Sequence, residues 1–160
     1  MSKIGIIRIV VVSIFLIALF LLIRSIYIAA STLAPDFSVL WEGARGLLMS
    51  RNPYTESGLF TGIGYPPNSL VFYIPLVLLP YKVAQGIFVL LSALSIFGVV
   101  LLSYKIIKDS KRIRWISLFL AFSLIVFSFP TRFTLGMGQN NLIALLLLLF
   151  SYYLYKGEQK

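Results

Sequence analysis

The chain has 160 residues, of which 59% are hydrophobic and 12% are charged, and its mean hydropathy is +0.96. This composition excludes a soluble globular domain and is typical of an integral membrane protein. The formal charge of +9 does not indicate nucleic-acid binding, because most basic residues lie in short clusters between long apolar runs. Since the sequence has no cysteine and no histidine, disulfides, thiol nucleophiles, Ser-His triads and His-containing metal sites are excluded.

The long apolar runs predict an all-α, polytopic membrane protein with about four transmembrane helices in a single membrane domain, residues 1–160. A helix needs ~20 residues to cross ~30 Å of hydrocarbon. We place the spans at residues 9–30, 83–107, 115–133 and 140–155. The first run exceeds the ~7 to 15 apolar residues of a signal peptide, so we interpret it as an uncleaved anchor.

The basic residues predict on which side of the membrane each connection lies. Nine of the 14 lysines and arginines lie near the N-terminus, in the connection 105–114 or near the C-terminus. An excess of Lys and Arg marks the cytoplasmic side. We therefore expect a protein of the cell membrane with both termini in the cytoplasm and an extracytoplasmic loop at 31–82. Within that loop, the proline-interrupted run 70–79 is too short to cross and predicts a re-entrant or bent segment.

The extracytoplasmic loop begins with an amphipathic pattern at 36–50. Apolar residues recur there at helical spacing, while Ser38, Glu42 and Arg45 fall on the opposite side. This pattern predicts a juxtamembrane helix that lies on the membrane surface, with Trp41 in the interfacial zone. The spacing of Glu42 and Arg45 predicts an ion pair between them.

The segment 135–141, Leu-Gly-Met-Gly-Gln-Asn-Asn, is polar although it adjoins an apolar run. Irregular polar backbone at membrane depth is tolerated only where protein or a water-filled cavity lines it. We therefore expect Gln139, Asn140 and Asn141 to face a crevice that opens on the side of Asp36. The alternative is that Asn140 or Asn141 caps the last helix.

Several short motifs occur in an order that resembles a known family. They are Asp-Phe with a tryptophan five residues after the aspartate, Asn-Pro-Tyr, Tyr-Pro-Pro, a Pro-Leu and Leu-Pro pair, and a later Gly-Gln-Asn. In these motifs the chain resembles the N-terminal part of the GT-C glycosyltransferases of family 87, polytopic enzymes that use polyprenyl-phosphate sugars. Because members of that family are longer, we expect a fragment or a shortened relative that needs further membrane spans or a partner subunit. The matching residues are Asp36, Phe37, Trp41, Ala44, Leu48, Asn52, Pro53, Tyr54, Tyr65, Pro66, Pro67, Pro75, Leu76, Leu79, Pro80, Gly138, Gln139 and Asn140.

The resemblance implies a transferase that moves a hexose, for example mannose, from a polyprenyl-phosphate donor to an extracytoplasmic glycan or glycolipid with inversion. It also implies that Asp36 is the catalytic base. A lone carboxylate suits this chemistry, because the phosphate leaves as an anion and only the acceptor hydroxyl needs a base. No cofactor is implied, and no metal is expected because the sequence has no Asp-X-Asp motif. Without the resemblance, Asp36 would be interpreted as the N-cap of the surface helix.

Arginines are the candidates for binding the departing phosphate, which gains charge in the transition state. Arg51 and Arg132 are chosen because a guanidinium fork matches phosphate oxygens. The alternative is that both mark helix ends at the membrane interface. The other candidates for substrate binding are two tyrosines of the matching motifs and two amides of the crevice: Tyr54, Tyr65, Gln139 and Asn140.

Two other functions stay open as alternatives. A non-catalytic accessory or assembly subunit would also be short and would bind a larger membrane partner. A small transporter has a similar number of spans, but no carboxylate lies within a predicted span, which argues against proton coupling. If the protein is a transferase, its expected partners are the lipid bilayer, a lipid-linked sugar donor and the acceptor of that sugar.

Overall fold

The computed structural model of the protein describes residues 3–53, 65–107 and 115–158. These residues form helices and contain no strand, which confirms the predicted all-helical fold for the described part of the chain. The helices in chain order are α1 (Lys3–Ser31), α2 (Pro35–Leu48), α3 (Pro67–Val71), α4 (Ile74–Val77), α5 (Tyr81–Ile107), α6 (Trp115–Phe127), α7 (Phe129–Met137) and α8 (Asn141–Glu158).

Two helices are long and apolar enough to cross a membrane. They are Gly5–Ser31 of α1, with 27 residues, and Tyr81–Ile106 of α5, with 26 residues. Helices α6 and α7 pass the same test only as a pair, and a bend of 59° separates them. The apolar part of α8, Asn141–Lys156, is shorter than the ~20 residues that a span needs. The described residues thus contain two or three candidate spans, and the predicted count of about four is not confirmed.

The break between α6 and α7 lies at Ser128, inside the predicted span 115–133. Ser128 has extended backbone angles, and its side chain accepts a hydrogen bond from the backbone N–H of Thr131 at 3.4 Å. Pro130 lies in the first turn of α7, where its missing N–H costs no helical hydrogen bond. Because the same proline cannot continue α6, the chain ends one helix and begins another at an angle.

The main core lies between the long helices. Helix α1 packs against α5, α6 and α7, and α5 packs against α8. Phe15 of α1 stacks on Phe119 of α6 with ring centres 4.2 Å apart. The buried residues of this core come from five helices and are Ala18, Leu22, Ala93, Ile96, Val100, Phe122, Val126, Leu135 and Leu142.

Side-chain contacts define the two ends of this bundle. At one end, Gln85 near the start of α5 donates hydrogen bonds to the carbonyl oxygens of Ala29 and Thr32, which lie at the end of α1. At the other end, Lys156 of α8 donates to the carbonyl oxygen of Ile106 at 2.9 Å. Helix α1 therefore runs antiparallel to α5, and α5 runs parallel to α8.

Helix α2, which corresponds to the predicted surface helix 36–50, packs against protein. Its buried face contacts α3, α4 and α7. Trp41 is only 6% exposed, and its indole N–H donates to the carbonyl oxygen of Leu76 at 3.2 Å. Ser38 is buried as well. The predictions of an interfacial Trp41 and an outward-facing Ser38 are wrong, because the chain's own α3 and α4 cover the face that was expected to meet lipid.

Two further expectations for α2 also need correction. In the described structure Arg45 does not pair with Glu42, and its guanidinium lies over the Trp41 ring, 5.4 Å from the ring centre. This cation–π contact joins residues four apart on one helix face. The N-cap of α2 is Ala34, and Pro35 takes the first helical position, for which its fixed φ suits it. Asp36 therefore lies within the first turn and does not cap the helix.

Candidate active site

Gln85 fixes the position of the connection that carries Asp36. Its side chain is fully buried, and its amide nitrogen lies 2.6 Å from the carbonyl oxygens of both Ala29 and Thr32. These carbonyls belong to the last turn of α1 and the residue after it, where helical partners are missing. These hydrogen bonds attach the link between α1 and α2 to α5. They therefore fix the position of Asp36 at this end of the bundle.

Asp36 and Gln139 form a direct hydrogen bond although 103 residues separate them. The amide nitrogen of Gln139 donates to the Asp36 carboxylate oxygen Oδ2 at 2.7 Å. The amide oxygen of Gln139 accepts from Asn141 Nδ2 at 3.1 Å and from Thr134 Oγ1 at 3.5 Å. Because two donors face the amide oxygen, the amide nitrogen is oriented towards the carboxylate.

Gly138 allows this approach. It ends α7 in the left-handed conformation with φ of 72°, which favours glycine. A Cβ atom at this position would lie 2.6 Å from Cβ of Phe37 and 3.0 Å from Cβ of Ala34. The missing side chain therefore lets the turn before α8 contact the start of α2 and places Gln139 against Asp36.

Tyr65 completes the set of groups around Asp36. Its hydroxyl donates a hydrogen bond to the Asp36 carboxylate, and the ring is partly buried. Burial raises the pKa of Tyr65, and both the negative charge of Asp36 and the hydrogen bond raise it further. Tyr65 is therefore a neutral donor at physiological pH, and within the described residues both Gln139 and Tyr65 donate to the Asp36 carboxylate.

Tyr73 lies behind this pair and was not identified from the sequence. It is 3% exposed, and its hydroxyl is buried without a hydrogen-bond partner in the described structure. Burial raises the pKa of Tyr73, and electrostatic repulsion from the ionised form of Tyr65 and from Asp36 raises it further. Its ring packs against Phe37, with ring centres 5.9 Å apart. Tyr73 thus links the Asp36 site to the aromatic core under α2.

An apolar groove lies beside Tyr73, which is one of its lining residues. Its volume is about 450 Å³, and it runs between the α3–α4 segment, α5 and α8. Apart from Tyr73 and Asn140, all the described lining residues have purely hydrocarbon side chains. The lining residues are Phe72, Tyr73, Pro75, Leu76, Phe88, Leu91, Asn140, Ile143, Ala144 and Leu147.

The structure brings three of the predicted site residues together and separates the others. Asp36, Tyr65 and Gln139 are in contact. Asn140 is exposed at the groove and immediately precedes α8. In the first turn of that helix, the carbonyl oxygen of Asn140 accepts a hydrogen bond from the N–H of Ala144 at 2.9 Å. Asn140 therefore lines the groove, and the bond that it gives to α8 comes from its backbone and not from a capping side chain.

The arginine candidates lie outside this cluster. Arg51 is exposed after the end of α2, and Arg132 is exposed on α7. Tyr54 lies outside the described residues. No group of three or more histidine, cysteine, aspartate or glutamate side chains that could hold a metal ion lies within the part of the chain that the structure describes. The site accordingly consists of one carboxylate, amides and hydroxyls.

Sequence reasoning did not identify Thr134 and Tyr73 as parts of the site environment, and it named Gly138 only as a residue of the matching motifs. Gly138 carries a usable signal, because a glycine before a polar segment marks a left-handed helix end. Thr134 lies one helical turn before that glycine. It was not identified because the sequence around it is largely apolar. Tyr73 lies within the short segment that was interpreted only as a bent membrane piece, and its burial depends on α2.

Comparison with protein families identifies one match. The model of glycosyltransferase family 87 matches residues 60–160, a segment that includes Tyr65, Gln139 and Asn140 but not Asp36. Comparisons with curated proteins and with solved structures find no match. The family match confirms the predicted resemblance and covers more than half of the chain. The chain therefore belongs to glycosyltransferase family 87, and the family implies glycosyltransferase activity.

Proposed function

We propose that the protein transfers a hexose, with mannose as the first candidate, from a polyprenyl-phosphate donor to a glycan or glycolipid acceptor with inversion at the anomeric carbon. The observation that carries this proposal is the Asp36 carboxylate, oriented by Gln139 and Tyr65 beside an apolar groove. A carboxylate has about four lone-pair positions. The two donors found in the described part of the chain leave room for an acceptor hydroxyl at the same carboxylate.

The proposed reaction is a single displacement. Asp36 takes the proton of the acceptor hydroxyl as the acceptor oxygen forms a bond to the anomeric carbon from the face opposite the phosphate. The bond between the anomeric carbon and the phosphate oxygen breaks, and its electron pair leaves with the phosphate. No acid is needed for that departure. Gln139 and Tyr65 are positioning residues, because they act on the substrate only through the orientation of Asp36.

The cations that stabilise the departing phosphate must come from residues outside the Asp36 cluster at this end of the molecule. Arg51 and Arg132 are the proposed partners, since both are exposed and both carry the guanidinium fork that phosphate oxygens match. Trp41 is not proposed to contact the lipid chain of the donor, because it is buried against α4.

We further propose that the site opens outside the cytoplasmic leaflet of the cell membrane and that both termini are cytoplasmic. The Asp36 site and the contact between Lys156 and Ile106 lie at opposite ends of the bundle. In the sequence, the basic stretch 105–114 begins at the latter end, and Lys160 follows Lys156 by four residues. This charge distribution supports a cytoplasmic location for that end.

The proposal is tested by supplying membranes that contain the protein with two forms of the same radiolabelled sugar, one linked to polyprenyl phosphate and one linked to a nucleotide. We expect label in the acceptor fraction only from the lipid-linked form, and nuclear magnetic resonance of the product should show the inverted anomer. Transfer from the nucleotide form alone would contradict the lipid-linked donor. Transfer from neither form would favour the accessory-subunit alternative.

A further inference from the structure

Helix α1 has one side that the other described helices do not cover. In an 18-residue apolar window, 17% of the residues of α1 are buried, compared with 44% in α5. Exposed residues recur on the uncovered side at alternating spacings of three and four, which is the spacing of helices that pack along a shared seam. We call these residues the α1 seam: Ser13, Ile17, Phe20, Arg24, Tyr27 and Ser31.

The α1 seam carries polar side chains that lack a partner. Neither the Arg24 guanidinium nor the Ser13 hydroxyl makes a hydrogen bond or an ion pair with the described residues, and both residues are exposed. Between residues 9 and 31, Ser25 is the only polar residue outside the seam, and its hydroxyl donates to the carbonyl oxygen of Leu21 at 2.8 Å. Because hydrocarbon cannot form hydrogen bonds, a surface that meets only lipid chains gains nothing from such residues.

The depth of Arg24 separates it from an ordinary residue of the membrane boundary. With the candidate span Gly5–Ser31 centred in the bilayer, its Cα atom lies about 9 Å from the bilayer centre at 1.5 Å of rise per residue. The hydrocarbon extends ~15 Å to either side, so this atom lies about 6 Å inside the boundary. The Cα–Cβ bond of a helical residue tilts towards the N-terminus, which for Arg24 is the direction of the bilayer centre. Arg24 therefore points away from the lipid phosphates on its own side.

Arg8 shows the opposite arrangement on the same helix. Its Cα atom lies about 15 Å from the bilayer centre, at the edge of the hydrocarbon. The same tilt towards the N-terminus directs its side chain outwards to the headgroups. Lipid phosphates therefore suffice for Arg8, whereas Arg24 needs an acidic group within the membrane, where ionisable residues are almost always paired.

Charge identifies what covers the α1 seam. None of the carboxylates of this chain lies in α1, α5, α6, α7 or the apolar part of α8; they are Asp36, Glu42, Glu56, Asp109 and Glu158. A second copy packed in parallel through the seam would bring two arginines to the same depth, where like charges repel each other. A carboxylate complements the guanidinium, because it accepts two of its N–H groups at once. It has to come from a different polypeptide.

We infer that the α1 seam packs against a transmembrane helix of another polypeptide, and that this helix carries an aspartate or a glutamate at the depth of Arg24. The ion pair lies between the two helices, and the Ser13 hydroxyl faces the partner farther along the same seam. This inference goes beyond the proposed function, because it assigns a partner of stated chemistry to a surface that takes no part in sugar transfer.

The inference is tested with synthetic probe helices in phosphatidylcholine nanodiscs that contain the full chain. Each probe is a polyleucine transmembrane helix with lysines at both ends, and it carries aspartate, leucine or lysine about 6 Å inside the hydrocarbon boundary. Because the sequence has no cysteine, Thr32→Cys supplies a single site for a dye beside the seam, and energy transfer to a dye on the probe measures binding. We expect the aspartate probe to bind about five- to thirtyfold more tightly than the leucine probe. The lysine probe should bind no better than the leucine probe.

Two matched variants assign the effect to one arginine. Arg24→Gln should remove the preference for the aspartate probe. Arg8→Gln should keep that preference, because Arg8 is exposed on the same helix but lies at the edge of the hydrocarbon. The comparison of the three probes on the native chain requires neither variant, so it remains decisive if one of them folds poorly.

Three results would overturn the inference. Equal binding of the aspartate and leucine probes would mean that lipid headgroups satisfy Arg24. An equal loss of preference in Arg24→Gln and Arg8→Gln would attribute the effect to overall positive charge. Energy transfer between two copies of the native chain that Phe20→Ala abolishes would assign the α1 seam to a second copy.

Discussion

The amide nitrogen of Gln139 donates a hydrogen bond of 2.7 Å to the carboxylate of Asp36, and this contact joins the start of α2 to the turn before α8. The amide cannot equally well turn the other way, because Asn141 and Thr134 donate to its oxygen. A hydrogen-bond chain of four side chains therefore fixes one carboxylate at the end of a membrane bundle. Such fixed geometry is what a general base requires.

Replacing Gln139 by methionine should lower the rate of transfer with little change in the KM for the acceptor. The variant has a similar volume but no donor, and a hydrogen bond to a charged group contributes about 1.5–3 kcal/mol, which corresponds to about 10- to 100-fold in rate. Asn141→Ala removes only a neutral donor to the same amide and should have a smaller effect. Kinetics that show a raised KM and an unchanged kcat would assign Gln139 to substrate binding instead.

Gly138→Ala should destabilise the protein and reduce transfer. The added Cβ would lie 2.6 Å from Cβ of Phe37, in a left-handed backbone conformation that costs about 1–2 kcal/mol for non-glycine residues. The matched control is Gly136→Ala, where a Cβ meets no atom within 4 Å and the residue lies inside α7. There alanine should stabilise the helix by roughly 0.5–1 kcal/mol. Thermal unfolding in detergent measures both, and equal midpoints would contradict the close approach at Gly138.

Alkaline pH should destabilise the protein through Tyr65 and Tyr73. Unfolded tyrosine loses its proton near pH 10, whereas burial and the Asp36 charge raise the pKa of both residues in the folded protein. The unfolded chain therefore releases these protons first, and the stabilising contribution present below about pH 10 is lost as pH rises through the folded pKa values. Unfolding midpoints should fall more steeply above pH 10 than between pH 7 and 9. The Tyr65→Phe, Tyr73→Phe double variant should show a shallower fall, and an unchanged slope would contradict this origin.

Arg51→Gln and Arg132→Gln should raise the KM for the donor if either arginine binds its phosphate. Arg→Lys at the same position should restore only part of the loss, because lysine keeps the charge and lacks the bidentate fork. The control is Arg45→Gln, since Arg45 lies over the Trp41 ring. Donor titrations at fixed acceptor concentration measure the effect. If all three variants behave alike, the phosphate is bound by other residues.

The sequence predicted the all-helical membrane fold and a crevice on the Asp36 side for Gln139, because apolar runs and a polar segment are strong local signals. Apolar runs identify membrane helices directly. The polar segment around Gln139 requires a lined crevice wherever it lies. Neither inference requires knowledge of the helix packing, whereas the direct contact between Asp36 and Gln139 depends on the close approach at Gly138.

The burial of Trp41 on α2 and the break after α6 could not be predicted in the same way. Trp41 has the properties of an interfacial residue, and only the positions of α3 and α4 show that it is buried. Pro130 signals a break, but its effect on the span 115–133 depends on the cap at Ser128 and on contacts with α1. Tertiary packing determines both outcomes, and an amphipathic pattern does not distinguish a protein neighbour from lipid.

The most direct measurement compares Asp36→Asn with Glu42→Gln in transfer of radiolabelled hexose from a polyprenyl-phosphate donor. Both variants neutralise a carboxylate of α2, and asparagine keeps the shape and an acceptor for Gln139. Loss of a general base should lower the rate for Asp36→Asn by about 10²- to 10⁴-fold, while Glu42→Gln should retain the native rate. Equal rates in Asp36→Asn and the native chain would contradict the assignment of Asp36 as the base.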